Sequence, residues 1–155
     1  MLDKDVLPSI YDPPSGYVAT ANEDVSPPRG PLLVTQPVPD YRRLRIGEQL
    51  ESMESATLKD MQNLQYDLVS LQARKLLEVL LPDIPEGALK DRLAAWDCSY
   101  APDSVEAALF QRLYVNLLIE VFGHEEGIGW RRTLYLVSRV GFSIMVVTAA
   151  DRLIQ

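Results

Sequence analysis

The sequence predicts a mainly α chain: five or six helices, with one or two short strands near the N-terminus. Three observations predict it. Prolines crowd the first forty residues, where long helices are therefore forbidden. After Asp40, apolar residues recur at the three- and four-residue spacing of an amphipathic helix. Within the Pro-rich region one short run, Gly16 to Ala21, carries aromatic and β-branched residues and is bounded by turn signals. The organisation expected is thus one partial domain over residues 1–155: Pro-rich loops with a strand at 17–21 in residues 1–39, and a helical region in 40–155.

In the first region, Pro8, Pro13, Pro14, Pro27, Pro28, Pro31, Pro37 and Pro39 punctuate the chain. The strand Tyr17-Val18-Ala19-Thr20-Ala21 ends where Asn22-Glu23-Asp24 takes over. A lone strand leaves its backbone donors and acceptors unmatched, so its partners lie either near the N-terminus or on other sequence. In the second region, Asp40 is placed to cap a helix carrying Ile46, Leu50 and Met53 on one face. Thr57 to Asp60 reads as a capping box with Asp in the usual Glu place. One continuous helix is expected from there: Leu58, Met61, Leu64, Leu68 and Leu71 form a stripe that Leu76, Val79 and Leu80 extend, until Pro82 and Pro85 stop it. A shorter helix covers Ala88 to Trp96. Asp103-Ser104-Val105-Glu106 reads as a second capping box, opening a helix with a Leu109, Leu113, Leu117, Phe122 face that Gly123 closes. Two further helical stretches are expected near 130–140 and 142–153, although Val146, Val147 and Thr148 also suit a strand.

Composition excludes several functions. A formal net charge of −7 argues against nucleic acid and anionic membranes, because both require a basic patch. The apolar run near Ile144 to Ala150 is far short of the roughly 20 residues that a membrane span needs. Cys98 is the single cysteine and His124 the single histidine, which rules out an internal disulfide and a Cys/His zinc framework. Met1 to Asp5 hold no apolar stretch of signal-peptide length. Trp96-Asp97 reads as a packed helix end, Asp67 as a buried hydrogen-bond anchor, Cys98 as small filler, and His124 with Glu125 and Glu126 as a solvated loop.

Four stretches, in order, carry a family resemblance. Gly16 to Asn22 resembles the GY(I/V)xTAN strand of the penicillin acylase family of N-terminal-nucleophile hydrolases. Tyr41 to Ile46 is similar to its YRxxRI, and Thr57 to Ser70 to its TxxDxxxLQxDxxS. Leu93 to Asp97, with Asp103-Ser104 and Ala107 to Phe110, is similar to its LxxWDxxxxxDSxxAxLF. The stretches span residues 16 to 122 and identify the chain as an interior piece of the large chain of such an enzyme.

The resemblance implies an αββα sandwich for the whole protein. It also implies an exported, periplasmic or secreted, self-cleaving precursor whose N-terminal Ser attacks linear amides of N-acyl compounds: penicillins, cephalosporins or acyl-homoserine lactones. The partners implied are the rest of the precursor, meaning the small chain and other parts of the large chain, and a small N-acyl amide. The α-amino group of that Ser is the base, with a pKa of about 8 suited to neutral pH. Asn22 falls on the family's active-site Asn, whose amide donates to the oxyanion; the alternative reading is a residue that ends a strand and starts a turn. The family's usual second Asn is Glu23 here. Arg42 falls on an Arg that holds Asn and substrate in place; the alternative is an exposed Arg in a first helical turn. Three Arg at a helix start, Arg42, Arg43 and Arg45, are unfavourable against the helix dipole without anionic partners.

No cofactor is expected. The structural calcium of many family members is not carried over, since the span between Asn22 and Arg42 is mainly Pro and aliphatic, with Asp24 and Asp40 at its ends. Neither Ser9 nor Ser15 suits the nucleophile, which is expected upstream of Gly16, so these 155 residues alone are expected to be inactive. The competing readings are a stand-alone helical binding module derived from the family and a non-catalytic chain that completes another polypeptide.

Overall fold

The computed structural model describes residues 5, 7–34, 38–124, 126–127 and 129–132. The chain divides into two compact units, Met1–Asp67 and Leu68–Gln155. Among the described residues the regular structure is helical, and the β-structure is a single isolated antiparallel bridge, Val69 to Ser99. The mainly α expectation therefore holds.

In the first unit, residues 17–21 form no strand ladder, contrary to expectation. Burial nevertheless alternates along them as in a strand: Tyr17 and Ala19 are half-buried and Ala21 is buried, while Val18 and Thr20 are exposed. The side-chain pattern is that of an extended segment. Ladder pairing is what it lacks, because a ladder needs a partner and the described residues supply none. Helix α1 spans Tyr41–Glu51. Asp40 precedes it but makes no side-chain cap; its carboxylate lies 3.7 Å from Arg43 NH2 instead, so the cap predicted there does not form. Helix α2 spans Leu58–Gln65. Its capping box is complete: the Thr57 hydroxyl accepts from Asp60 N–H, and the Asp60 carboxylate accepts from Thr57 N–H at 2.9 Å.

The predicted continuous helix stops at Gln65, and a new one, α3, begins at Leu71 and ends at Leu80. Two interactions in the second unit outweigh the apolar period here. Ser70 N–H donates to Cys98 O and Tyr100 N–H to Leu68 O, both at 2.9 Å, which draws residues 68–70 into the short bridge. The Ser70 hydroxyl then accepts from Ala73 N–H at 3.1 Å and caps α3. A 3₁₀ turn at Leu81–Asp83 takes the chain past Pro82.

Helix α4 spans Ala88–Ala95 and α5 spans Val105–Phe122, close to the predicted ranges. The α5 cap is Ser104, one residue later than the predicted Asp103 box, and accepts from Ala107 N–H at 3.1 Å. Glu106 does not reach back to close a box; it pairs with Arg92 at 2.6 Å. The buried face of α5 is Ala107, Phe110, Tyr114 and Leu118. The predicted Leu109, Leu113, Leu117 and Phe122 are half-buried rather than on that buried face. Gly123 follows α5 as expected but with a right-handed φ of −70°. Glycine is required there for space: a Cβ would meet the Ile119 carbonyl oxygen and come within 3.1 Å of Trp130 Cα. Residues 129–132 are helical; the rest of the stretches expected at 130–140 and 142–153 lies outside the described residues.

The core of the second unit joins Ala73, Leu76 and Leu77 of α3, Leu93 of α4, Cys98, and Phe110, Tyr114 and Leu118 of α5. Leu76, Leu93, Phe110 and Leu118 are fully buried. Trp96 ends α4 and packs its ring, tilted, with centroids 5.7 Å from Phe110 and 5.6 Å from Tyr100, while its indole N–H donates to Ser99 O at 3.1 Å. Asp97 accepts from Ser99 N–H at 2.8 Å, tightening the turn. Trp96-Asp97 is thus the packed helix end that the sequence suggests.

Candidate active-site segment

The segment holding Asn22 is built from a turn, an extended run and one helix face, all in the first unit. Gly16, with φ of +73°, closes a turn in which its N–H donates to Pro13 O at 2.9 Å. The chain then leaves with Tyr17 directed at α1. The Tyr17 phenol donates to Glu51 Oε1 at 2.8 Å and crosses α1 at Gly47, where a Cβ would stand 3.1 Å from the phenol oxygen. Glycine at 47 is what lets the ring approach. The phenol is held above its usual pKa, chiefly by the hydrogen bond to the Glu51 carboxylate, which favours the protonated form.

Ala21 is buried, and Asn22 follows it exposed, at φ of +69°. That left-handed conformation costs most residues about 1–2 kcal/mol and is tolerated by Asn. Three contacts fix it. The Asn22 carbonyl accepts from Val38 N–H at 3.0 Å. On either side of Asn22, Ala21 N–H donates to Glu23 Oε2 at 2.6 Å. Glu23 Oε1 in turn lies 3.6 Å from Arg43 Nε, with the Glu23 side chain only 11% exposed. The Asn22 side-chain amide has no hydrogen-bond partner among the described residues.

The three arginines at the start of α1 separate. Arg43 faces Glu23 and Asp40. Arg45 makes a two-pronged pair with Asp67, Nε to Oδ2 at 2.6 Å and NH2 to Oδ1 at 3.0 Å, and also reaches Glu48 at 3.0 Å. Asp67 is therefore an anchor, as the sequence suggests, though half-buried rather than buried. Arg42 is exposed and makes no ion pair among the described residues. The anionic partners that the crowded helix start demands are Glu23, Asp40, Asp67 and Glu48. Sequence reasoning overlooked Glu23 and Arg43 as a pair; the only signal was the carboxylate standing where the family has Asn.

Beyond this segment, His124 is exposed and lies 3.7 Å from Glu120, while Glu125 lies outside the described residues. Asp24 Oδ1 accepts from Ser26 N–H at 2.8 Å. Among the described residues no group of three or more His, Cys, Asp or Glu side chains could hold a metal ion. No described helix is long and apolar enough to cross a membrane.

No solved structure matches the chain. Penicillin acylase 2 proenzyme of Pseudomonas sp. (strain SE83) is 29% identical over 133 residues, a match that covers 80% of this chain and 17% of that protein. The chain thus spans about a sixth of its relative's length. The sequence profile of penicillin amidase matches residues 1–152, nearly the whole of the chain. The chain belongs to the penicillin amidase family.

Proposed function

We propose that these residues are an interior part of one larger catalytic domain, that of an exported amidohydrolase cleaving linear amide bonds of N-acyl compounds of the penicillin, cephalosporin or acyl-homoserine-lactone kind. The nucleophile is an N-terminal Ser on sequence beyond these residues, and the remainder of the precursor completes the αββα sandwich. Attack of the Ser oxygen on the amide carbonyl forms a tetrahedral oxyanion while the α-amino group takes the hydroxyl proton. Collapse expels the amine with that proton and leaves an acyl-enzyme, which water hydrolyses. Asn22 donates its amide N–H to the oxyanion, and Arg42 holds substrate and Asn22 in place.

One observation carries this reading: Asn22 presents an unpaired, solvent-facing amide from a backbone fixed on both sides. A fixed neutral donor is what oxyanion stabilisation uses. A stand-alone binding module is less well supported. It would cover its own apolar faces, yet Leu58 is 78% exposed and Tyr66 is 82% exposed.

The test is Asn22→Gly in the complete protein, assayed on a panel of N-acyl nitroanilides. Gly keeps the left-handed backbone and removes only the amide. The expected result is a fall in kcat of about 10²–10³-fold with KM little changed. An unchanged kcat overturns the reading.

A further inference from the structure

The carboxylate beside Asn22 is used in a way that the active-site reading leaves unexplained. Glu23 bends back over Asn22 to accept the Ala21 N–H at 2.6 Å, so its side chain bridges the residue before Asn22 and the residue after it. The opposite oxygen faces Arg43 Nε at 3.6 Å. That Arg is carried by α1, the helix that Tyr17 also grips through Glu51 and Gly47. The turn is thereby tied to a rigid element on both flanks. The Glu23 side chain is largely shielded from solvent, whereas Asn22 is exposed. These two adjacent side chains thus lie in opposite environments, with Asn22 itself in the left-handed conformation.

We infer that Glu23 is a positioning residue: clamped by Arg43, it holds Asn22 in its left-handed turn and aims the Asn22 amide. The inference rests on the reading of Asn22 as the oxyanion donor. Glu23 touches no reacting atom and acts only through its neighbour. A two-atom hold on the turn matters because a misplacement of about 1 Å at such a donor costs on the order of 10²-fold in rate.

The experiment is a double-mutant cycle in the complete protein, with kcat and KM measured for each variant. Glu23→Ala is expected to lower kcat roughly tenfold, a partial misplacement on that scale, and to leave KM nearly unchanged. Glu23→Gln keeps a carbonyl acceptor for Ala21 N–H but loses the charge that faces Arg43, and is expected to recover only part of the rate. In the Asn22→Gly background, Glu23→Ala is expected to have no further effect, because the group it aims is gone. If Glu23→Ala does not yield folded protein, Glu23→Asp takes its place, one methylene too short to reach both Ala21 and Arg43, with the same expected direction. A neutral Glu23→Ala, or a loss that adds in full to that of Asn22→Gly, overturns the inference while the oxyanion reading stands. A silent Asn22→Gly removes that reading, and the inference with it.

Discussion

Phe110 is the sharpest test of how the second unit is held together. Its side chain is 1% exposed, and its ring meets Trp96 at 5.7 Å and Tyr114 at 6.2 Å. Phe110→Ala removes the ring's burial and leaves a cavity between α4 and α5, a loss of about 3–5 kcal/mol. Phe110→Leu keeps most of the apolar volume and loses the two ring contacts, each about 0.5–1.5 kcal/mol. The Leu variant is therefore expected to lose about 1–3 kcal/mol. Trp96 reports the event directly, because its indole sits against the substituted ring. A urea titration followed by tryptophan fluorescence, with a slope of about 1 kcal/mol/M, should move the midpoint by roughly 1–3 M for Leu. The Ala variant loses much of the ~5–15 kcal/mol that such a unit possesses and is expected to be largely unfolded. A Leu variant as stable as the parent would refute the aromatic argument, and equal costs for Leu and Ala would refute the cavity argument. No shift for either would refute the assignment of Phe110 to the core.

Three further outcomes are expected. Ser70→Ala removes the acceptor for Ala73 N–H and should cost the second unit about 0.5–2 kcal/mol in the same titration, with Ser70→Asp recovering it. Asp67→Asn breaks the charge-assisted, two-pronged pair with Arg45 and should lower stability by about 1.5–3 kcal/mol, read as a lower thermal midpoint by circular dichroism. The Asp60 carboxyl is held below its usual range, first by the Thr57 hydroxyl and then by the Thr57 N–H. A folded-state value below the unfolded one stabilises the fold above the unfolded pKa of about 4, and that contribution fades as pH falls through the lowered folded value. In an NMR titration Asp60 should titrate below ordinary Asp, and Thr57→Ala should return it upward.

What the sequence revealed and what it concealed follow from the range of the forces involved. The α4 and α5 boundaries and the Thr57 box were legible because caps and helical periods act within one turn. The break at 66–70 was not, because Leu64, Leu68 and Leu71 continue a helical period across it. It is imposed by backbone bonds to residues 98–100, some thirty positions away. Val69 next to Ser70 was the one local hint, a β-branched residue before a good N-cap. Around the candidate site, the extended run 17–21 was legible, and of the two places left open for its partners the described N-terminal residues supply none. The sharing of arginines by carboxylates was anticipated as a need at the start of α1. Which Arg meets which acid, Arg43 with Glu23 and Arg45 with Asp67, depends on folding across some twenty residues.

Cys98 gives the molecule a use beyond its role as core filler. It is the single cysteine of the sequence, buried at φ of +63°, and burial pushes its thiol up from its usual range. A shielded thiol with little thiolate reacts slowly with disulfide reagents until the fold around it opens. Because Cys98 O accepts the Ser70 N–H that starts α3, opening there undoes the bridge and exposes sulfur in the same event. The rate at which a coloured thiol reagent is consumed therefore measures how often the second unit breathes, without any engineered label.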